Sequence, residues 1–319
     1  MEPGLMPETA WTFKPLAAPL GLCLSPGMGA ERVGRGRAKR VAAVTGAAAL
    51  ALGLAGVLAV GLRQPRLDRD WVEHLAVMPD IRMRPDGFAL GPAYDWSYNA
   101  NGPTRKATTD FEARYNDLRD VWFVLEPQPG GGYAAHTLVL FEFAGDRLIG
   151  LTVEARREDG EDYDPLLGLF NQYELAYVWS TAKELLNRRA VYLAKDVYVY
   201  PLRLSAAQER RFLTEVLRET RAVSTRPRFY NTLTSNCTNE LAKTAGLDWH
   251  YSWVLTGYSP ERLFALKLIP GETLGAARDR AHMSQALRRW NATPSREFDR
   301  LLLSELRRRH GDPAPPPGR

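Results

Sequence analysis

An α+β domain carried behind one membrane-spanning helix is what this chain predicts. Residues 41–62, VAAVTGAAALALGLAGVLAVGL, contain no charged side chain. Beyond them, the first half of the chain is broken into strand-like runs, and the second half is dominated by helix-period segments. The composition, 45% hydrophobic and 25% charged over 319 residues, is that of a globular protein with one good-sized core.

The apolar run comes first. As a helix rising about 1.5 Å per residue, 41–62 crosses roughly 30 Å of hydrocarbon. It has no polar face, which argues against a buried helix of a soluble domain. It also exceeds the length of a signal-peptide apolar region. Arg32, Arg35, Arg37, Lys39 and Arg40 precede it, and Arg63, Arg66 and Arg69 come after. The positive-inside bias then places the N-terminus in the cytoplasm and residues 63–319 outside. The expected organisation is a disordered cytoplasmic tail over 1–40, a signal anchor over 41–62 and a membrane-proximal segment over 63–84. The main domain covers 85–260, a basic helical C-terminal extension 261–310 and a Pro-rich disordered tail 311–319.

Within the domain, Asp120–Leu125 reads as a strand ended by Pro127 and the Gly130–Gly132 loop. His136–Phe143 and Leu148–Arg156 read as a hairpin around Ala144-Gly145-Asp146-Arg147. Pro165–Asn187 is predicted largely helical, Tyr192–Leu202 a further strand, and Ser205–Ser224 an amphipathic helix with Ser205 as N-cap. Asn236-Cys237 opens a helix that stops at Gly246, a C-terminal glycine. Pro260–Leu268 and Met283–Arg309 complete the helices. The sheet is expected to be antiparallel and packed on helices.

The net charge of +5 and pI near 9.2 come from an arginine run beyond Pro260. It reads as a solvated helix face or a membrane-facing patch. No aromatic-interleaved module accompanies it, so no nucleic-acid partner is expected. No zinc spacing, P-loop or dinucleotide fingerprint is present, so neither metal nor cofactor is expected.

Cys237 carries the chemistry. The chain's other cysteine, Cys23, lies across the expected span, so Cys237 has no intrachain disulfide partner. At the first turn of a helix, after Asn236 as N-cap, its sulfur faces exposed N–H groups and the positive helix end, which favour the thiolate. The same N–H groups can hold an oxyanion. A small buried hydrophobe is the competing reading. A nucleophilic thiol needs a base, and the candidates are His74, His136, His250, His282 and His310. His74 abuts the span, His310 is in the tail and His282 sits among arginines. His250 lies near Cys237 in sequence. His136 starts a well-formed strand and is preferred. Glu154, on the partner strand, can orient it: a three-residue turn places Glu154 opposite His136, a two-residue turn on the diagonal. Glu154 could equally belong to a solvated charged strand end. Tyr230 could donate to an oxyanion or pack in the core. Asp95–Lys106 reads as a substrate loop or as structural turns.

Four motifs then carry a resemblance: Asp95-Trp96-Ser97-Tyr98-Asn99, Ala135-His136-Thr137, Val153–Glu161 and Tyr230–Thr238. Together, over roughly residues 85–260, they resemble the bacterial exported domains named for the N-terminal periplasmic domain of the Lnb-type lipoprotein N-acyltransferase. The resemblance implies a circularly permuted papain-like (NlpC-like) fold in which a histidine strand precedes a cysteine helix. It implies Cys237 as nucleophile, His136 as base and Glu154 as orienting residue; Asn236 and Tyr230 are expected at the oxyanion or substrate from their places before Cys237 in the sequence. The Lnb-type enzyme carries several membrane spans after this domain, whereas here one span precedes it. The expected function is a single-pass bacterial inner-membrane protein with a periplasmic thiol enzyme domain. It would act on a lipid, lipoprotein or cell-wall peptide by acyl transfer or hydrolysis. A peptide amidase, or a non-catalytic envelope-binding module keeping the fold, is the alternative.

Overall fold

The computed structural model describes residues 30–130 and 132–311. Of the tails expected over 1–40 and 311–319, residues 1–29, with Cys23, and 312–319 lie outside the described residues. The chain divides into two units, up to Gly61 and from Leu62 onward. The first holds helix α1, Ala30–Gly61, which starts ahead of the apolar run. Its window Lys39–Leu58 has a mean hydropathy of 2.1, long and apolar enough to cross a membrane. Side chains such as Val44, Leu52 and Val57 are exposed along it.

The second unit is α+β. After the short helix α2 (Glu73–Ala76) come strands β1 (Asp80–Met83), β2 (Gly87–Tyr94), β3 (Ser97–Asn99), β4 (Gly102–Arg105), β5 (Thr108–Arg114), β6 (Leu118–Pro127), β7 (Ala135–Phe143), β8 (Arg147–Arg156) and β9 (Glu174–Ser180). Helix α3 (Ala182–Asn187) precedes β10 (Tyr198–Pro201). Helices α4 (Ala206–Thr225), α5 (Cys237–Thr244), α6 (Ser259–Ala265), α7 (Leu274–Ala281), α8 (Ser284–Arg289) and α9 (Ser295–His310) complete the unit. The main sheet runs β1-β2-β9-β8-β7-β6-β10, with β5 on β2. Its pairings are antiparallel except β2 with β9, which meet in parallel at Tyr94 and Ser180. The sheet is therefore mixed, not purely antiparallel as the sequence predicts.

Helices cover both faces of the central strands. Side chains alternate across a strand, so Val139, Phe141 and Phe143 of β7 pack with Phe212, Val216 and Leu217 of α4 and Leu241 of α5. Leu138 and Leu140 of the same strand pack with Leu185 of α3, Leu287 of α8 and Phe298 and Leu302 of α9. The arginine-bearing C-terminal segment thus supplies apolar side chains that close one face of the sheet. The Met283–Arg309 helix is broken before Ser295, where Pro294 takes the N-cap position.

The expected helix over Pro165–Asn187 is corrected. Only a short turn at Leu167–Leu169 and α3 are helical there, and β9 lies between them. All seven residues of β9 are buried. A strand covered on both faces shows a continuous apolar run, which period alone does not separate from a helix. The Tyr192–Leu202 strand shrinks to Tyr198–Pro201, because Arg188–Tyr192 forms one turn of π-helix continuing α3.

Gly150 of β8 lets α3 lie close on the sheet. A Cβ there would come 2.5 Å from Leu185 Cδ2 and 3.1 Å from Leu140 Cδ2. Gly150→Val is expected to lift α3 and destabilise the domain by roughly 1–3 kcal/mol. Thermal unfolding of the full chain measures it, and an unchanged melting temperature would contradict the packing described.

Candidate functional site

Helix α5 begins as the sequence predicts. Asn236 is extended at the N-cap, and its Oδ1 accepts from Asn239 N at 2.8 Å. Its Nδ2 donates to the carbonyls of Thr232 and Trp253, each at 2.8 Å. The whole carboxamide is therefore committed to backbone. Asn236 fixes the helix start and the loop before it, and has no side-chain hydrogen left for a substrate. Cys237 comes next, at the first helical position, where N–H groups lack a carbonyl one turn back within the helix.

The hairpin of β7 and β8 turns over three residues, Ala144–Asp146, with Phe143 opposite Arg147. Carrying that register two residues beyond Leu138 and Thr152 sets His136 opposite Glu154. On the other side, Glu126 of β6 is the partner of His136. Glu126, His136 and Glu154 thus form one row across three strands. His136 Nε2 lies 3.0 Å from Glu154 Oε1 and 2.6 Å from Thr152 Oγ1. The Thr152 hydroxyl also donates to Glu154 Oε1 at 2.9 Å. Arg189, in the π-helical turn, closes the row from above. Its Nη2 donates to Glu154 Oε1 at 3.3 Å, and its Nε lies 3.1 Å from Glu126 Oε2 without hydrogen-bond alignment.

With Nε2 taken by Thr152 and Glu154, the other ring nitrogen is the one left to face Cys237, which lines the same pocket and whose charge interacts with that of the ring. The sulfur lies 3.8 Å from Thr238 Oγ1, and the nearby Thr137 N–H and hydroxyl favour its charge. Thr137 Oγ1 in turn lies 2.9 Å from Thr238 Oγ1. Burial resists charge on Cys237, but the His136 charge and these donors outweigh it and draw the thiol down to about 7. Burial likewise resists charge on His136, yet Glu154 and then the sulfur raise the imidazole to about 10. Burial opposes ionisation of Glu154 too; His136, Arg189 and Thr152 nonetheless hold it well below the usual carboxylate range. Between about pH 7 and about pH 10 the arrangement is predominantly a thiolate–imidazolium pair.

These groups open into a pocket of about 460 Å³. Tyr230 lines it, with its hydroxyl 3.1 Å from that of Tyr163. Burial first, then the nearby sulfur charge, push the Tyr230 phenol far above its usual range, so it stays a donor. His74 lines the same pocket, although its place beside the apolar run set it aside in the sequence. Burial and then the Arg188 charge lower it to about 3, and it is neutral. Of the other histidines, His250 bonds Ser252, His282 bonds Asp196, and His310 ends α9 instead of lying in the tail; none of the three lines this pocket. Thr137, Thr152, Glu126 and Arg189 also escaped sequence reasoning. For Thr137 the signal was its place beside His136; for Thr152, its place on the Glu154 face of β8. Nothing in sequence tied Arg189 to the row. The Asp95–Lys106 segment packs away from the pocket, with Asp95 bonded to Thr181 and Ser295. Among the described residues no group of His, Cys, Asp or Glu is arranged to hold a metal ion.

Residues 107–248 fit the family model described as the Lnb N-terminal periplasmic domain, the family whose motifs the sequence resembles. No curated protein and no solved structure matches the chain. The matched segment contains Glu126, His136, Glu154, Arg189, Tyr230 and Cys237, while His74 lies outside it.

Because the thiolate is the reactive form, alkylation of Cys237 by iodoacetamide is expected to rise with pH through a midpoint near 7. In His136→Ala, burial remains and the attraction is gone, so the midpoint should move above the ordinary thiol value of ~8.5. Equal midpoints in the two proteins would contradict the pair.

Proposed function

We propose that this chain, related over 107–248 to the Lnb N-terminal periplasmic domain, is a membrane-anchored periplasmic enzyme that transfers acyl groups through Cys237. The juxtaposition of the Cys237 sulfur with a His136 ring backed by Glu154 is the observation that carries it. The order of a histidine strand before a cysteine helix fits a circularly permuted papain-like domain. With α1 as anchor and its basic flank inside, the domain lies outside the inner membrane.

In the first half-reaction the Cys237 thiolate attacks an acyl ester carbonyl. The carbonyl π electrons move to oxygen, whose charge the Cys237 N–H and the Tyr230 hydroxyl would hold. As the tetrahedral species collapses, the C–O bond breaks and His136 gives its proton to the leaving alkoxide. In the second, His136 takes a proton from water or an amine, which attacks the thioester carbonyl. The C–S bond then breaks and the thiolate is restored. Asn236 serves through the helix start that it caps.

A lipid-borne acyl group is favoured by the mouth of the pocket. Tyr163 and Pro165 line it, and the segment just after them exposes Leu166, Leu167 and Phe170, at 67%, 46% and 53%. Leu233, beside the pocket residue Thr232, is exposed as well. Arg63, two residues beyond α1, bonds Asn171 O and Gln172 Oε1 next to that segment. This apolar rim suits acyl chains better than a cell-wall peptide.

Full-length protein in detergent, exposed to a p-nitrophenyl acyl ester, is expected to form a thioester at Cys237, read by intact mass. Cys237→Ser should form none, and His136→Ala should acylate slower by roughly 10²-fold or more. No adduct on the wild type, or an equal rate in His136→Ala, would refute the proposal.

A further inference from the structure

The pocket holds more positive charge than the Cys237–His136 machinery uses. Arg189 is answered by Glu126 and Glu154. Arg157 and Arg188 line the same pocket without such an answer. Among the described residues, Arg157 Nη1 donates only to a backbone carbonyl, Glu161 O, at 3.1 Å. Arg188 has no carboxylate within ion-pair distance among them. Both are half-buried. The backbone ties each to the catalytic row: Arg157 stands three residues beyond Glu154, and Arg188 is the neighbour of Arg189. His74, from the membrane-proximal segment, lines the pocket with them and feels the field of both. It is held neutral there, so it offers a ring N–H without adding charge.

Placing guanidinium groups in a cleft without counter-charge is unfavourable unless a ligand completes the site. The planar fork of arginine matches phosphate and carboxylate oxygens in pairs. A cavity of about 460 Å³ has room for such a group together with the ester under attack. We infer that Arg157, Arg188 and His74 form an anion subsite that holds a phosphate or carboxylate group of the substrate while Cys237 attacks its carbonyl. The inference rests on the acyl-transfer reading and narrows it to substrates bearing an anionic group near the reacting ester.

Charge-selective alkylation of the full chain in detergent tests it. Iodoacetate and iodoacetamide attack the same sulfur and differ in charge. The iodoacetate-to-iodoacetamide rate ratio at Cys237 is expected to exceed that of a free small thiol measured alongside. It should fall roughly 10-fold in Arg188→Gln and further in the Arg157→Gln/Arg188→Gln double variant. Arg188→Lys should recover part of the preference, and thermal unfolding of each variant checks that it is folded. A ratio equal to that of the free thiol, or unchanged in the double variant, overturns the subsite. Slow alkylation by both reagents in the wild type overturns the thiolate reading instead, so the two failures are distinct. Protection experiments identify the source of the anion. Protection of Cys237 by inorganic phosphate, or by phosphatidylglycerol over diacylglycerol in the same detergent, supports the subsite; equal protection by diacylglycerol and phosphatidylglycerol, with none by phosphate, contradicts it.

Discussion

A thiolate at a buried position needs a cation beside it, and that cation needs its own support. Cys237 is 6% exposed, too buried to keep a negative charge by hydration. His136 supplies the positive charge, Glu154 holds His136 protonated, and Arg189 keeps Glu154 from standing alone. Glu126 answers Arg189 on the other side. Charges of alternating sign therefore run from the helix start of α5, across β8 and β7, to β6 and the turn after α3. Each member lies in low-dielectric surroundings, so removing one leaves its neighbour unpaired at a cost well above that of a surface pair.

The fold exists around this row in a literal sense. Three strands set Glu126, His136 and Glu154 abreast by register alone. Gly150 lets α3 settle on the sheet, and the widened helical turn after it delivers Arg189. The Asn236 cap and its bonds to Thr232 and Trp253 hold α5 so that the sulfur meets the ring. The C-terminal helices, with Phe298 and Leu302 against the even-numbered side chains of β7, cover the face of the sheet that α3 shares. Their arginines dominate the sequence, but their leucines determine their place.

Much of the site was legible in the sequence because its pieces are local. The cap and the cysteine are adjacent, and the hairpin register depends on one turn whose length the structure fixes at three residues. Glu154 was readable to within that one-residue ambiguity. What sequence could not show were groups brought in from afar. Arg189 reaches the row through a helix whose place depends on a glycine two strands away from Glu126. His74 comes from a segment defined in the sequence only by the apolar run before it. Thr137 works through its backbone N–H as well as its hydroxyl, and a backbone donor leaves no mark in composition. Strand β9 was hidden for a different reason: buried on both faces, it lost the alternation that reveals a strand. The family match over 107–248 agrees with the resemblance in the motifs.

The most direct measurement is nitrogen NMR of the histidine rings in the full-length protein at neutral pH. The ion-pair account predicts that both ring nitrogens of His136 carry protons there, and that the ring stays charged until the pH approaches about 10. A neutral His136 with one protonated nitrogen, titrating near the ordinary imidazole value of ~6.5, would contradict it.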